Sequence, residues 1–122
     1  MGNDVEEIVV AWLNTILGSG WAAHGNKPNP TPEKYVLVDR AGGPRVAMVL
    51  DAASLLIEVY HKTDRIAAKN KANEIADKIP QLAAYSENIT LRHDAVNSVV
   101  RLPDLITGYE RYQVYVDISH RR

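Results

Sequence analysis

Hydrophobic and polar positions along this chain follow two periods, and the switches between them mark out its elements. Val5, Ile8, Val9, Trp12, Leu13 and Ile16 recur at helical spacing and give one broad apolar face. Asn3 stands at a cap position with Glu6 three residues on, a capping-box pairing, and Glu7 adds negative charge at the positive helix end. Gly18 falls where a left-handed C-cap belongs, so the pattern predicts a helix from about Asp4 to Leu17. From Gly18 to Glu33 the periodicity stops. Pro28, Pro30 and Pro32 alternate there, which predicts a semi-rigid extended loop with Trp21 as its anchor on the body of the domain.

Period-two segments follow. Tyr35 to Arg40 and Arg45 to Asp51 read as strands joined by a hairpin turn at Ala41-Gly42-Gly43-Pro44. Leu55 to His61 reads as a third strand, with Leu55, Ile57 and Val59 on one face and Glu58 on the other. Thr63 or Asp64 then caps a second helix with an apolar stripe at Ala68, Ala72, Ile75, Ala76 and Ile79, and Glu74 and Lys78 stand in the favourable i, i+4 order on its exposed side. Pro80 ends or kinks it, and Leu82-Ala83-Ala84-Tyr85 adds a further turn. Ile89 to His93 and Val96 to Leu102 read as extended, and Pro103 to Gly108 as a turn or loop. Arg111 to Ser119 alternates most cleanly: Tyr112, Val114, Val116 and Ile118 face one way, Gln113, Tyr115, Asp117 and Ser119 the other. The expected class is α+β: a mostly antiparallel sheet with two helices packed on one face, a single domain over residues 1–122.

Composition narrows the chemistry. The chain has 122 residues, 46% hydrophobic and 24% charged, which suits one globular core and not a disordered chain. No apolar run approaches the roughly 18 residues of a membrane span, and the acidic N-terminus does not resemble an export signal, so a membrane partner is not expected. The absence of cysteine removes thiol catalysis, disulfides and cysteine-ligated zinc. A net charge of −1 disfavours a nucleic-acid binder, which needs a basic excess, and no sequence-specific nucleic-acid binding is expected. His61 with Asp64, and His93 with Asp94, lack the further spacing of a metal or acid/base site and read as ordinary surface histidines. Gly42-Gly43 lacks a following helix and reads as a turn, not a phosphate cradle. No catalytic residue, metal ligand or cofactor is nominated, and the chain is not expected to be an enzyme.

Two features remain. Lys62, Arg65 and Lys69 on one side of the second helix, and His120-Arg121-Arg122 at the end, read as a solvated face and a terminal tail. Tyr60, Tyr85, Tyr109, Tyr112 and Tyr115, near Arg101 and Arg111, read equally as a protein interface or as a second layer of packing.

The segments Ala11-Trp12-Leu13, Lys34-Tyr35-Val36-Leu37-Val38, Gly42-Gly43, Leu56-Ile57-Glu58-Val59-Tyr60-His61 and Pro103-Asp104…Gly108-Tyr109-Glu110-Arg111-Tyr112, in this order, resemble the tail terminator proteins of long-tailed bacteriophages with non-contractile tails, particularly those infecting actinobacteria. The resemblance spans nearly the whole chain and rests on a diffuse pattern. It implies a structural virion protein at the head-proximal end of the tail, assembled in the host cytoplasm. Such a protein forms a ring, typically of six copies, that caps the tube of major tail protein and joins the head–tail connector or head-closure protein, with the tape-measure protein as a further partner. Within this reading the stiff loop carrying Lys27 and Glu33 reaches a neighbouring subunit or the tube, and Arg101, Asp104, Tyr109, Arg111 and Tyr115 belong to an interface. The alternatives are another neck component, or a small α+β ligand-binding domain with a concave pocket.

Overall fold

In the computed structural model, which describes residues 5–42, 50–86 and 89–121, the first apolar stripe forms helix α1 (Val5–Ile16). Val5, Ile8, Val9, Trp12 and Leu13 are buried along it, as the periodicity predicts. The chain leaves α1 through Gly18 at φ +81°, the left-handed conformation that favours glycine. The expected cap at Asn3, and Asp4, lie outside the described residues.

Among the described residues five strands make one sheet: β1 (Ala23–His24), β2 (Lys34–Gly42), β3 (Leu50–His61), β4 (Ile89–Arg101) and β5 (Glu110–Arg121), in the order β1-β2-β3-β5-β4. Only the β1–β2 pair is parallel, so the sheet is mixed but mostly antiparallel, and the fold is α+β. Three expectations about strands need correction. Asp51 and Leu55–His61 belong to one strand, because the ladder to β5 runs unbroken from Leu50↔Arg121 to His61↔Glu110. The hairpin partner of β2 is therefore the Leu55–His61 stretch, with Lys34 opposite His61 and Arg40 opposite Leu55. The turn at Gly43-Pro44 and the strand residues from Arg45 to Val49 lie outside the described residues. Similarly, the two segments expected between Ile89 and Leu102 are one strand, β4, whose register shifts between Leu91 and Val96 and again before Ser98 absorb the break in pattern. Within the proline-rich loop, β1 is an addition: Val36 donates its N–H to the Ala22 carbonyl at 3.0 Å.

The second helix, α2 (Arg65–Lys78), starts at Asp64, whose carboxylate accepts the Ala67 N–H at 3.0 Å, so Asp64 and not Thr63 is the cap. Ala68, Ala72 and Ile75 are buried beneath it, and Pro80 sits in a 3-10 turn (Ile79–Gln81) leading into a last short turn, α3 (Leu82–Tyr85). Glu74 bridges Lys71 at 2.8 Å and Lys78 at 3.1 Å, and hydrogen bonds from these two lysines hold its carboxyl below the ordinary glutamate range. Both helices share one core with a single face of the sheet, made of Val36 and Val38, then Leu55, Ile57 and Val59, then Tyr112, Val114, Val116 and Ile118.

His61 departs from the expected surface histidine. It is 9% exposed, and its Nδ1 accepts the N–H groups of Thr63 (3.2 Å) and Asp64 (2.9 Å), supplying an acceptor to the donors at the entry of α2. Trp21 packs against the core with its ring centroid 6.3 Å from that of His61, and the ammonium groups of Lys34 and Lys71 stand 5.4 and 5.5 Å from the indole. Trp21 thus anchors the loop as its position suggests. Among the described residues no helix is long and apolar enough to cross a membrane.

Candidate functional site

The turn between β4 and β5 is built by one carboxylate. Asp104 follows Pro103, and its Oδ1 accepts the N–H groups of Ile106 (3.0 Å) and Thr107 (3.3 Å). Its own backbone N–H donates to the Tyr109 carbonyl at 3.0 Å, and its carbonyl accepts the Gly108 N–H at 2.8 Å. Gly108 closes the turn at φ +80°, again in the left-handed region. Partial burial alone would raise the Asp104 pKa. The Thr107 side chain, the Ile106 and Thr107 amides and the Arg111 charge outweigh burial and hold the carboxyl below the ordinary aspartate value. A depressed carboxyl contributes stability above its unfolded pKa and loses it as pH falls through its folded one. Asp104→Ala should therefore cost about 1 kcal/mol, the size of a lost cap. It should also lower the protection factors of the Ile106 and Thr107 amides measured by nuclear magnetic resonance, and acidification of the wild type below the aspartate range should reproduce that loss of protection once the intrinsic pH dependence of exchange is divided out.

The turn is also fastened to the sheet. The Tyr109 hydroxyl donates to the Pro32 carbonyl at 2.9 Å, Leu102 donates its N–H to the Arg111 carbonyl at 2.9 Å, and Arg111 Nε returns a hydrogen bond to the Leu102 carbonyl at 2.8 Å. What this fixed turn presents is apolar: Leu105 and Ile106 are 93% and 96% exposed at its tip.

Behind the turn lies the sheet face opposite the helices. Tyr35 and Tyr60, paired across β2 and β3, stack at 4.6 Å and 8°, and Tyr109 meets both edge-on at 6.0 and 6.4 Å. Tyr60 and Tyr109 thus belong to a local second layer of packing; Tyr112 lies in the main core, and Tyr85 is 47% exposed. Burial, then the neighbouring Tyr60 and Tyr109, push the Tyr35 hydroxyl up to about 12, and burial also raises Tyr60 despite the Arg111 hydrogen bond. Raised tyrosines stabilise fully below the unfolded value near 10 and lose that contribution as pH rises towards 12. Stability by urea titration should accordingly fall across that alkaline window, and ultraviolet titration should show Tyr35 ionising late; a Tyr35→Phe chain should lose part of the slope.

Arg111 links this stack to a polar row. Its guanidinium stands 3.5 Å from Glu58 and 3.4 Å from the Tyr60 hydroxyl. Glu58 accepts from Gln113 Nε2 at 2.9 Å, and Gln113 Oε1 accepts the Tyr115 hydroxyl at 3.0 Å. Gln113 is 6% exposed, so a residue assigned to the polar face is buried within this row. Arg101 pairs with Glu110 at 3.0 Å.

The structure thus brings Arg101, Asp104, Tyr109 and Arg111 together at one end of the sheet, and joins Tyr115 to them through Gln113 and Glu58. Glu33 lies at the same end, exposed, its carbonyl accepting the Lys62 N–H at 2.7 Å. Lys27 is exposed beyond β1, and no hydrogen bond or ion pair joins it to this group among the described residues. Reading the sequence for charged and aromatic residues missed Glu58, Gln113, Leu105 and Ile106. An aliphatic pair bracketed by Pro103 and Gly108 was the available signal for the last two. Among the described residues no three histidine, aspartate or glutamate side chains converge as metal ligands. What the site offers chemically is an exposed apolar pair on a hydrogen-bonded turn. Compared with known proteins, the chain matches no family model and no curated sequence.

Proposed function

We propose that this chain is a structural virion subunit of the tail terminator kind: it forms a ring with copies of itself, caps the tube of major tail protein and presents a surface to the head–tail connector or head-closure protein. The observation that carries an assembly role is the Leu105–Ile106 tip. A soluble domain does not ordinarily hold two adjacent aliphatic side chains in water on a turn this heavily bonded, and such patches mark interaction sites. The likeness of the strand and helix segments to tail terminators supplies the kind of assembly. A ring needs two dissimilar patches on each copy, and no active site.

Native mass spectrometry of the purified chain, alone and with a major tail protein of a phage with a non-contractile tail, tests the ring. A discrete closed oligomer, six copies by the resemblance, is expected; a monomer under both conditions contradicts it. On tails isolated from particles made without heads, the chain should remain at the head-proximal end. Recovery with capsids alone assigns it to the head-closure side of the neck instead.

A further inference from the structure

We infer that the end of the sheet carrying the Leu105–Ile106 turn is a two-fold contact, against which a second copy of this chain sets the same end; the contact does not depend on the ring. All the large exposed apolar side chains among the described residues, except Tyr85, stand at this end. They are Ile66, Val100, Leu102, Leu105 and Ile106. Val100 lies opposite Gln113 in the β4–β5 ladder, and Leu102 bonds to the Arg111 carbonyl beyond it. Ile66 follows Arg65, which donates to the Tyr112 hydroxyl at 3.5 Å, and Tyr112 is the ladder partner of Arg101. The end of β4, the turn and the entry of α2 thus leave aliphatic side chains in water on one end of the domain, the mark of an interaction surface.

Charge selects the partner. Exposed Lys62 and Arg65 stand at this end with exposed Glu33 and Asp64, and none of the four belongs to an ion pair among the described residues. The other charges there are occupied within the chain: Arg101 with Glu110, Arg111 with Glu58, Lys34 over Trp21 and Asp104 inside the turn. Both signs are therefore present in balance, which suits neither a polyanion nor a polycation and complements a copy of itself. About a two-fold axis the apolar pairs pack on each other, and the Lys62 and Arg65 of each copy face the Glu33 and Asp64 of the other. A chain net charge of −1 adds little long-range repulsion between copies. A contact confined to one end of so small a domain belongs to the class below about 1,200 Å², so the pairing is concentration-dependent.

The cysteine-free chain makes the test direct. An Ile106→Cys chain treated with a short bis-maleimide should link to itself faster than an Ala84→Cys chain, whose exposed position on α3 lies at the far end of the sheet. In sedimentation equilibrium the double variant Leu105→Asp, Ile106→Asp, which alters exposed positions only, should weaken self-association by about 10-fold or more. Isotope-labelled Lys62→Glu chains mixed with Glu33→Lys chains should give mixed pairs in excess of either like pair. Self-linkage no faster than that of Ala84→Cys overturns the contact, as do like and mixed pairs in random proportion. Protection of the Ile106→Cys thiol by phage major tail protein, without self-linkage, assigns the tip to the tube and also overturns it. A heterologous ring contact does not bring Ile106 to its own counterpart, so these results stand apart from what native mass spectrometry shows of the ring.

Discussion

Trp12→Ala should cost about 3–5 kcal/mol of folding stability, the largest effect expected of any single truncation in this chain. Trp12 is 2% exposed and sits on the face by which α1 joins the core, between Val9 and Leu13, which are fully buried. Val5, Ile8, Val9 and Leu13 hold the same face of the helix to the core. The Asn14 side chain exchanges hydrogen bonds with Ala23, at 2.9 and 3.2 Å, tying the helix to the short β1, and Leu17 offers its carbonyl to Lys71 at 2.9 Å. A domain of this size is stable by only about 5–15 kcal/mol, so losing the indole removes a large share of the total. Equilibrium unfolding in urea reads this as a lower midpoint at an unchanged slope. A loss below about 1 kcal/mol would show that α1 is held by something other than its apolar stripe.

Arg111→Ala should cost about 2 kcal/mol, within the range for hydrogen bonds to charged groups and discounted because the side chain is 21% exposed. The guanidinium joins three things: the Leu102 carbonyl at the root of the turn, the Tyr60 hydroxyl, and the Glu58 carboxylate. Removing it leaves Glu58, 14% exposed, with Gln113 as its remaining donor, and frees one side of the turn. Arg111→Lys restores the charge but not the planar fork, so it should recover only part of the loss. Unfolding curves measure the cost, and faster amide exchange at Leu102 and Asp104 shows whether the turn has loosened. These contacts also change how a charge reversal at Arg111 is read. Arg111→Glu sets a carboxylate against Glu58, so lost assembly in that variant reports a damaged turn before it reports a lost intersubunit contact. Leu105 and Ile106 bond to nothing through their side chains and are the cleaner probes.

Much of the fold is legible wherever burial imposes a local period. The stripes of α1 and α2 and the alternation from Arg111 to Ser119 each need only a helix or strand beside a core. Strand ends are less legible, because Ala52, Ala53 and Ser54 fit a loop or a strand and the ladder to β5 decides between them. β1 leaves no period at all: two residues join the sheet through parallel bonding to β2 alone. His61 shows the same limit, since its acceptor role depends on where the chain turns afterwards.

At the candidate site, Asp104, Tyr109 and Arg111 are close in sequence, and the turn keeps them close in space. Glu58 and Gln113 stand 55 residues apart and meet only through the β3–β5 register, which no local pattern contains. The tyrosines and arginines read equally as an interface or as a second packing layer; the structure uses Tyr60, Tyr109 and Arg111 at the base of the turn and leaves two aliphatic side chains exposed at its tip.

Capping is the central claim, and electron microscopy of growing tail tubes tests it most directly. Purified chain, labelled and added to growing tubes of phage major tail protein, should be found at one end of each tube and should halt lengthening there. Tubes that bear no label at either end and keep growing at the rate of untreated ones would contradict it.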